Sequence, residues 1–125
     1  MSSQYVHFST QKTNGDFPTV LDIAPQELLL KKSEVLLIDV RRPDEFTGEL
    51  GHIPDAQLIV LDTLPQHLGD LPKEKTVVFV CRSGARSARA VAFAKDAGFT
   101  SVYNLDGGMI LWNQLQLAVE GKSAP

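Results

Sequence analysis

Four short apolar runs constrain this chain more than anything else in it. They are residues 35–38 (VLLI), 58–61 (LIVL), 77–80 (VVFV) and 102–105 (VYNL). Each is apolar almost without interruption rather than alternating. Such runs are strands buried on both faces, as in a parallel sheet covered by helices. A fifth short strand is predicted near 19–23. Helical patterns fall between the runs. Pro25 opens one over 26–32, with Leu28 and Leu29 facing inward. Pro43, Asp44 and Glu45 open a second, short one with acid in its first turn. Leu61, Leu64, Leu68 and Leu71 keep helical spacing around Pro65. The alanine-rich stretch 87–97 places Ala90, Phe93, Ala94 and Ala97 on one face and stops at Gly98. Gly107 and Gly108 precede a last helix over 109–117. Strands alternating with helices predict an α/β domain with a mostly parallel sheet.

The chain has 125 residues, enough for one domain with a single core. It carries 43% hydrophobic and 22% charged residues, values of an ordinary globular protein. No apolar run approaches the roughly 20 residues that span a bilayer, so no membrane partner is expected. The first residues (MSSQYVHFST) lack the basic and apolar regions of a secretory signal. A net charge of -3 argues against nucleic acid as a partner. The domain is expected over 18–117, with an N-terminal extension over 1–17 and a tail over 118–125 that frays beyond Glu120.

Cys81 is the sole cysteine. It can form no internal disulfide, no CxxC redox pair and no thiolate-rich zinc site, and no metal is expected. A small chain without disulfides suits a reducing compartment, and the cytoplasm is expected. Cys81 follows the run 77–80, so it sits at the carboxyl end of a strand, where open α/β sheets bind ligands. Arg82, Ser83, Gly84, Ala85 and Arg86 follow, and a helix begins near Ser87. Backbone N–H groups of this loop can turn toward the sulfur, and the helix presents its positive end. Between Cys81 and Lys95 stand four basic residues (Arg82, Arg86, Arg89, Lys95) and no acidic one. Such surroundings favour a thiolate nucleophile and attract an anion. Gly84 lets the loop turn tightly and leaves space above the sulfur. The plain alternative is that Cys81 is a small buried hydrophobe and the arginines are solvated charge. A structural cysteine has no need of a cationic cradle.

The width of the loop separates two chemistries. A phosphatase of the protein-tyrosine type places five residues between cysteine and arginine, which leaves room for a phosphoryl group. Here four residues separate Cys81 from Arg86. The tighter ring suits one extra sulfur atom on the cysteine.

Three blocks now make the sequence resemble a known family. They are 37–46 (LIDVRRPDEF) running on to 51–56 (GHIPDA), 81–87 (CRSGARS) and 105–112 (LDGGMILW). In this order and spacing the chain is similar to the single-domain rhodaneses, the rhodanese-like sulfurtransferases, over about 18–117. The resemblance implies a five-stranded, mostly parallel sheet flanked by helices on both faces. It implies that Cys81 takes sulfane sulfur from a small anionic donor such as thiosulfate, forming a persulfide, and that a thiol or cyanide accepts it. It implies no metal and no organic cofactor, with Cys81 catalytic and Arg82, Ser83, Gly84, Ala85, Arg86 and Ser87 holding the substrate or persulfide. Asp39 and Arg41 are read as supporting residues, Asp39 pairing with Arg41 or Arg86 to fix the loop. A strand-end Asp39 capping the Pro43 helix is the alternative. His52 is read as architectural, and Met109 and Trp112 as core. Asp55 stands where many members have glycine, and 46–51 is slightly longer than usual, which can reshape the rim of the site. A cysteine-dependent phosphatase or arsenate reductase and a non-catalytic protein-binding module are the competing readings. The chain is expected to be self-sufficient as a monomer.

Overall fold

The structure is a computed structural model and describes residues 5–123. Its elements run β1 (Lys12–Thr13), β2 (Leu21–Ile23), α1 (Pro25–Lys31), β3 (Leu36–Asp39), α2 (Pro43–Phe46), β4 (Gln57–Leu58), α3 (Leu64–His67), β5 (Val77–Val80), α4 (Ala85–Asp96), β6 (Val102–Leu105) and α5 (Gly108–Gln114). The strands form one sheet in the order β1-β2-β6-β5-β3-β4. Every pairing is parallel except β1 with β2. Among the described residues the sheet therefore has six strands rather than five. The added one is a two-residue antiparallel edge strand whose residues are both exposed. It has no apolar signal to read, because backbone pairing with β2 alone defines it.

Three of the four apolar runs divide between two cores. The run 58–61 does not form a buried strand, since the strand there is only Gln57–Leu58 at the sheet edge and 58–61 stays partly buried. Along β5, Val77 and Phe79 face α3 and α4 with Leu64, Leu68, Ala88, Val91 and Ala94. Val78 and Val80 face the other layer, with Leu28 of α1 and Met109 and Trp112 of α5. This is the two-sided burial that a parallel strand requires. Met109 and Trp112 are fully buried.

Three helical expectations change. Leu29 is 39% exposed, because Glu27 and Leu28 take the inward positions of α1. Phe93 is also 39% exposed and Ala97 lies outside the helix, since the sheet-facing stripe of α4 is the small set Ser87, Ala88, Ala90, Val91 and Ala94. The leucines from 61 to 71 do not form one helix: α3 is a single turn between two 3-10 turns.

Residues ahead of Pro18 contribute to the domain. Phe8 is fully buried in the α1 and α5 layer and meets Tyr103 edge to face. The described part of the expected tail makes backbone contacts with the domain. His52 and Glu120 exchange backbone hydrogen bonds, and the Ser123 N–H donates to the Gly48 carbonyl. Among the described residues no helix is long and apolar enough to cross a membrane.

Candidate functional site

Parallel strands bring the residues after β3, β5 and β6 to one edge of the sheet. Cys81 leaves β5 and the loop turns back at Gly84, whose φ of +112° is a left-handed conformation that glycine adopts without strain. The turn aims the Gly84 N–H at the Cys81 Sγ, 3.0 Å away. The helix α4 starts at Ala85, and the Ser87 hydroxyl in its first turn lies 3.2 Å from the same sulfur. One backbone N–H and one hydroxyl thus approach Sγ. The expectation that Gly84 opens space above the sulfur does not hold. Cys81 is 1% exposed, and a β-carbon at Gly84 would face Asn104 and Gly107 instead.

The loop is clamped from behind by α5. The Met109 and Ile110 N–H groups donate to the Cys81 and Arg82 carbonyls, at 2.9 and 3.0 Å. Gly108 allows this approach. Its φ is +56°, and a β-carbon there would stand 2.5 Å from both carbonyl oxygens. The double glycine of the third sequence block is thus part of the site's scaffold.

Asp39 and Arg41 form a buried bidentate pair, with Nε to Oδ1 at 2.9 Å and a terminal nitrogen to Oδ2 at 2.8 Å. Arg41 also donates to the Gly51 and Glu45 carbonyls. Its fork therefore ties the end of β3 to α2 and to the turn after it. Asp39 does not cap α2; the Glu45 carboxylate accepts from the Arg42 N–H there. Arg86 binds Glu45 rather than Asp39, in a fork of 2.6 and 2.8 Å. The Arg86 hydrogen bonds hold the Glu45 carboxyl at about 2, against the burial that would raise it. The same pairing raises the Arg86 guanidinium above its ordinary value.

Arg82, Ser83 and Ala85 are exposed. Arg82 and Arg41 border a depression of about 180 Å³ completed by Asp44, Glu45, Gly48, Glu49 and Leu50. Residues of 46–51 therefore form part of this rim. Ser83 and Ala85 border a second depression with Asn14, Asp22 and Asn104. His52 is a strut: Nδ1 bonds the Phe46 carbonyl at 2.8 Å and its ring stacks on Phe46. Asp55 has a φ of +75°, the conformation in which a glycine would be unstrained.

Sequence reasoning missed Glu45, Asn104 and Asp22. Glu45 is an ordinary first-turn acid, and nothing local points it to Arg86. Asn104 carried a signal, a polar residue in the middle of a buried strand (VYNL). It is 1% exposed, bonded to Ser87 on one side and Asp22 on the other.

Comparison with known proteins places this geometry. The chain is 42% identical over 84 residues to a sulfurtransferase of Allochromatium vinosum, covering 67% of this chain and 77% of that one. It is 34% identical over 87 residues to the thiosulfate sulfurtransferase GlpE of Pseudomonas syringae pv. syringae, covering 70% and 80%. A solved human single-domain sulfurtransferase superposes with a TM-score of 0.67 at 27% identity, covering 74% of this chain and 95% of that one. The profile of the rhodanese-like domain matches residues 24–115, and with most of its length accounted for in this way the chain belongs to the rhodanese-like family.

Proposed function

We propose that the protein is a sulfurtransferase that carries sulfane sulfur as a persulfide on Cys81. The observation that carries the reading is the Gly84 N–H aimed at Sγ, with the Ser87 hydroxyl 3.2 Å from the same atom. Donors aimed at a sulfur stabilise negative charge on it. The names of the sulfurtransferase relatives support the same reaction class.

The Cys81 thiolate attacks the outer sulfur of thiosulfate. The new S–S bond forms as the thiosulfate S–S bond breaks, and sulfite leaves with the electron pair. The product Cys–S–S⁻ keeps one negative charge. Cyanide then takes the outer sulfur as thiocyanate, or a thiolate takes it as a new persulfide, and the Cys81 thiolate returns. Arg82, exposed on the rim, suits the sulfonate oxygens of the donor. Ser83, Ala85 and the rest of 81–87 shape the cradle, and the Asp39–Arg41 pair supports it. Cys81 is 1% exposed, so a donor reaches the sulfur only when the residues covering it move. The chain acts as a monomer in the cytoplasm, with an anionic sulfur donor and a thiol or cyanide acceptor as its partners.

Intact-mass spectrometry tests this. Thiosulfate adds the mass of one sulfur atom to the wild type and nothing to Cys81→Ser, and cyanide removes it. A folded wild type that gains no sulfur from thiosulfate, polysulfide or glutathione persulfide would overturn the reading.

A further inference from the structure

Behind the sulfur runs a buried polar chain from Ser87 through Asn104 to Asp22, of which the sulfur chemistry above uses only Ser87. Ser87 is fully buried, Asn104 is 1% and Asp22 6% exposed. The Asn104 amide nitrogen donates to the Asp22 carboxylate at 2.9 Å. Asp22 also receives the Asn14 amide at 3.0 and 3.2 Å. A carboxylate only accepts, so the Asn104 nitrogen stays with Asp22 and its oxygen is turned toward Ser87. The Ser87 hydroxyl is hydrogen-bonded to that oxygen. It also lies 3.2 Å from the Cys81 sulfur and 3.3 Å from the Gly84 carbonyl.

A serine hydroxyl has one proton to give. The Asn104 oxygen and a Cys81 thiolate therefore compete for it. When Cys81 is a thiol, S–H donates to the Ser87 oxygen and the hydroxyl donates to Asn104. When the sulfur is anionic, the hydroxyl gains by turning to the sulfur and must leave Asn104 to do so.

We propose that Asp22 and Asn104 are positioning residues that set, through Ser87, how strongly the Cys81 anion is held. The proposal rests on Cys81 being the sulfur-carrying nucleophile. Asp22 lies ahead of the matched span 24–115, so the device reaches into the N-terminal part of this chain. The other charges near the sulfur are Arg86, bound to Glu45, the Asp39–Arg41 pair and Arg82 on the loop, and none is altered below.

Cys81 is the sole cysteine, so ultraviolet thiolate absorbance titrated against pH reads it directly, with Cys81→Ser as the blank. Ser87→Ala removes the donor and raises the midpoint. Asn104→Leu removes the competitor and lowers it. Each shift is about one pH unit, roughly tenfold in proton affinity. A folded Asn104→Leu protein whose midpoint stays put, or moves the same way as Ser87→Ala, overturns the proposal. Should Asn104→Leu fail to fold, Asp22→Asn decides. It lowers the midpoint in the wild type and leaves it in place in the Ser87→Ala background. An equal shift in both backgrounds is a bare charge effect and overturns the proposal. The titration uses no sulfur donor, so its outcome is independent of whether the mass experiment finds a persulfide.

Discussion

A β-carbon on Gly108 would stand 2.5 Å from the carbonyl oxygens of Cys81 and Arg82, closer than any packing tolerates. The two oxygens are held there because they accept from Met109 and Ile110. Gly108→Ala therefore forces the loop away from α5 and strains a positive φ at once. We expect a loss of about 1–3 kcal/mol in denaturant unfolding and slower sulfur loading of Cys81. A variant with wild-type stability and loading would show that the clamp is dispensable. Single residues also mark how far a linear reading reaches. Cys81, its loop and the glycine pair are local features, and their spacing could be read directly. The partner of Arg86 could not, since Glu45 stands 41 residues away on a helix whose orientation the sheet sets.

Short elements in this molecule are held by charges more than by length. The helix α1 has seven residues, too few to stand alone. Its Glu27 is buried and accepts from the backbone and hydroxyls of Ser9 and Thr10, and Lys31 reaches it from the next turn. Burial pushes this carboxyl up, but the hydrogen bonds from Thr10, Lys31 and Ser9 win and hold it well below the usual carboxylate range. The folded state thus prefers the ionised form. Its contribution is fully present above the unfolded carboxylate value of roughly 4.5 and is lost as pH falls toward the depressed folded value. Glu45, held at about 2, adds a loss in the same direction over the same range. Denaturation measured from neutral to acid pH should show stability falling below about pH 4.5. Glu27→Gln should be about 1–3 kcal/mol less stable at neutral pH, with a shallower acid slope. An unchanged slope would mean that the N-terminal segment is held by other contacts.

Across the whole molecule, two apolar layers enclose one sheet, and the N-terminal segment supplies part of one layer. Phe8 sits among Ile23, Leu28, Tyr103 and Trp112. Phe8→Ala should lower unfolding stability by about 3–5 kcal/mol in a single cooperative transition. A loss under ~1 kcal/mol would mark residues before Pro18 as a detachable extension. Residue pattern alone was enough to specify the architecture and the place of the cysteine. Unbroken apolar runs between helical patterns suit a covered parallel sheet, parallel strands end on one edge, and a cysteine directly after such a run lies there. Only the tertiary structure decided what surrounds that sulfur. Arg86 with Glu45, Asn104 with Ser87 and Asp22, and Phe8 in the core join residues far apart in the chain. Those pairings follow from how helices seat on a twisted sheet, and no local pattern of side chains encodes that seating.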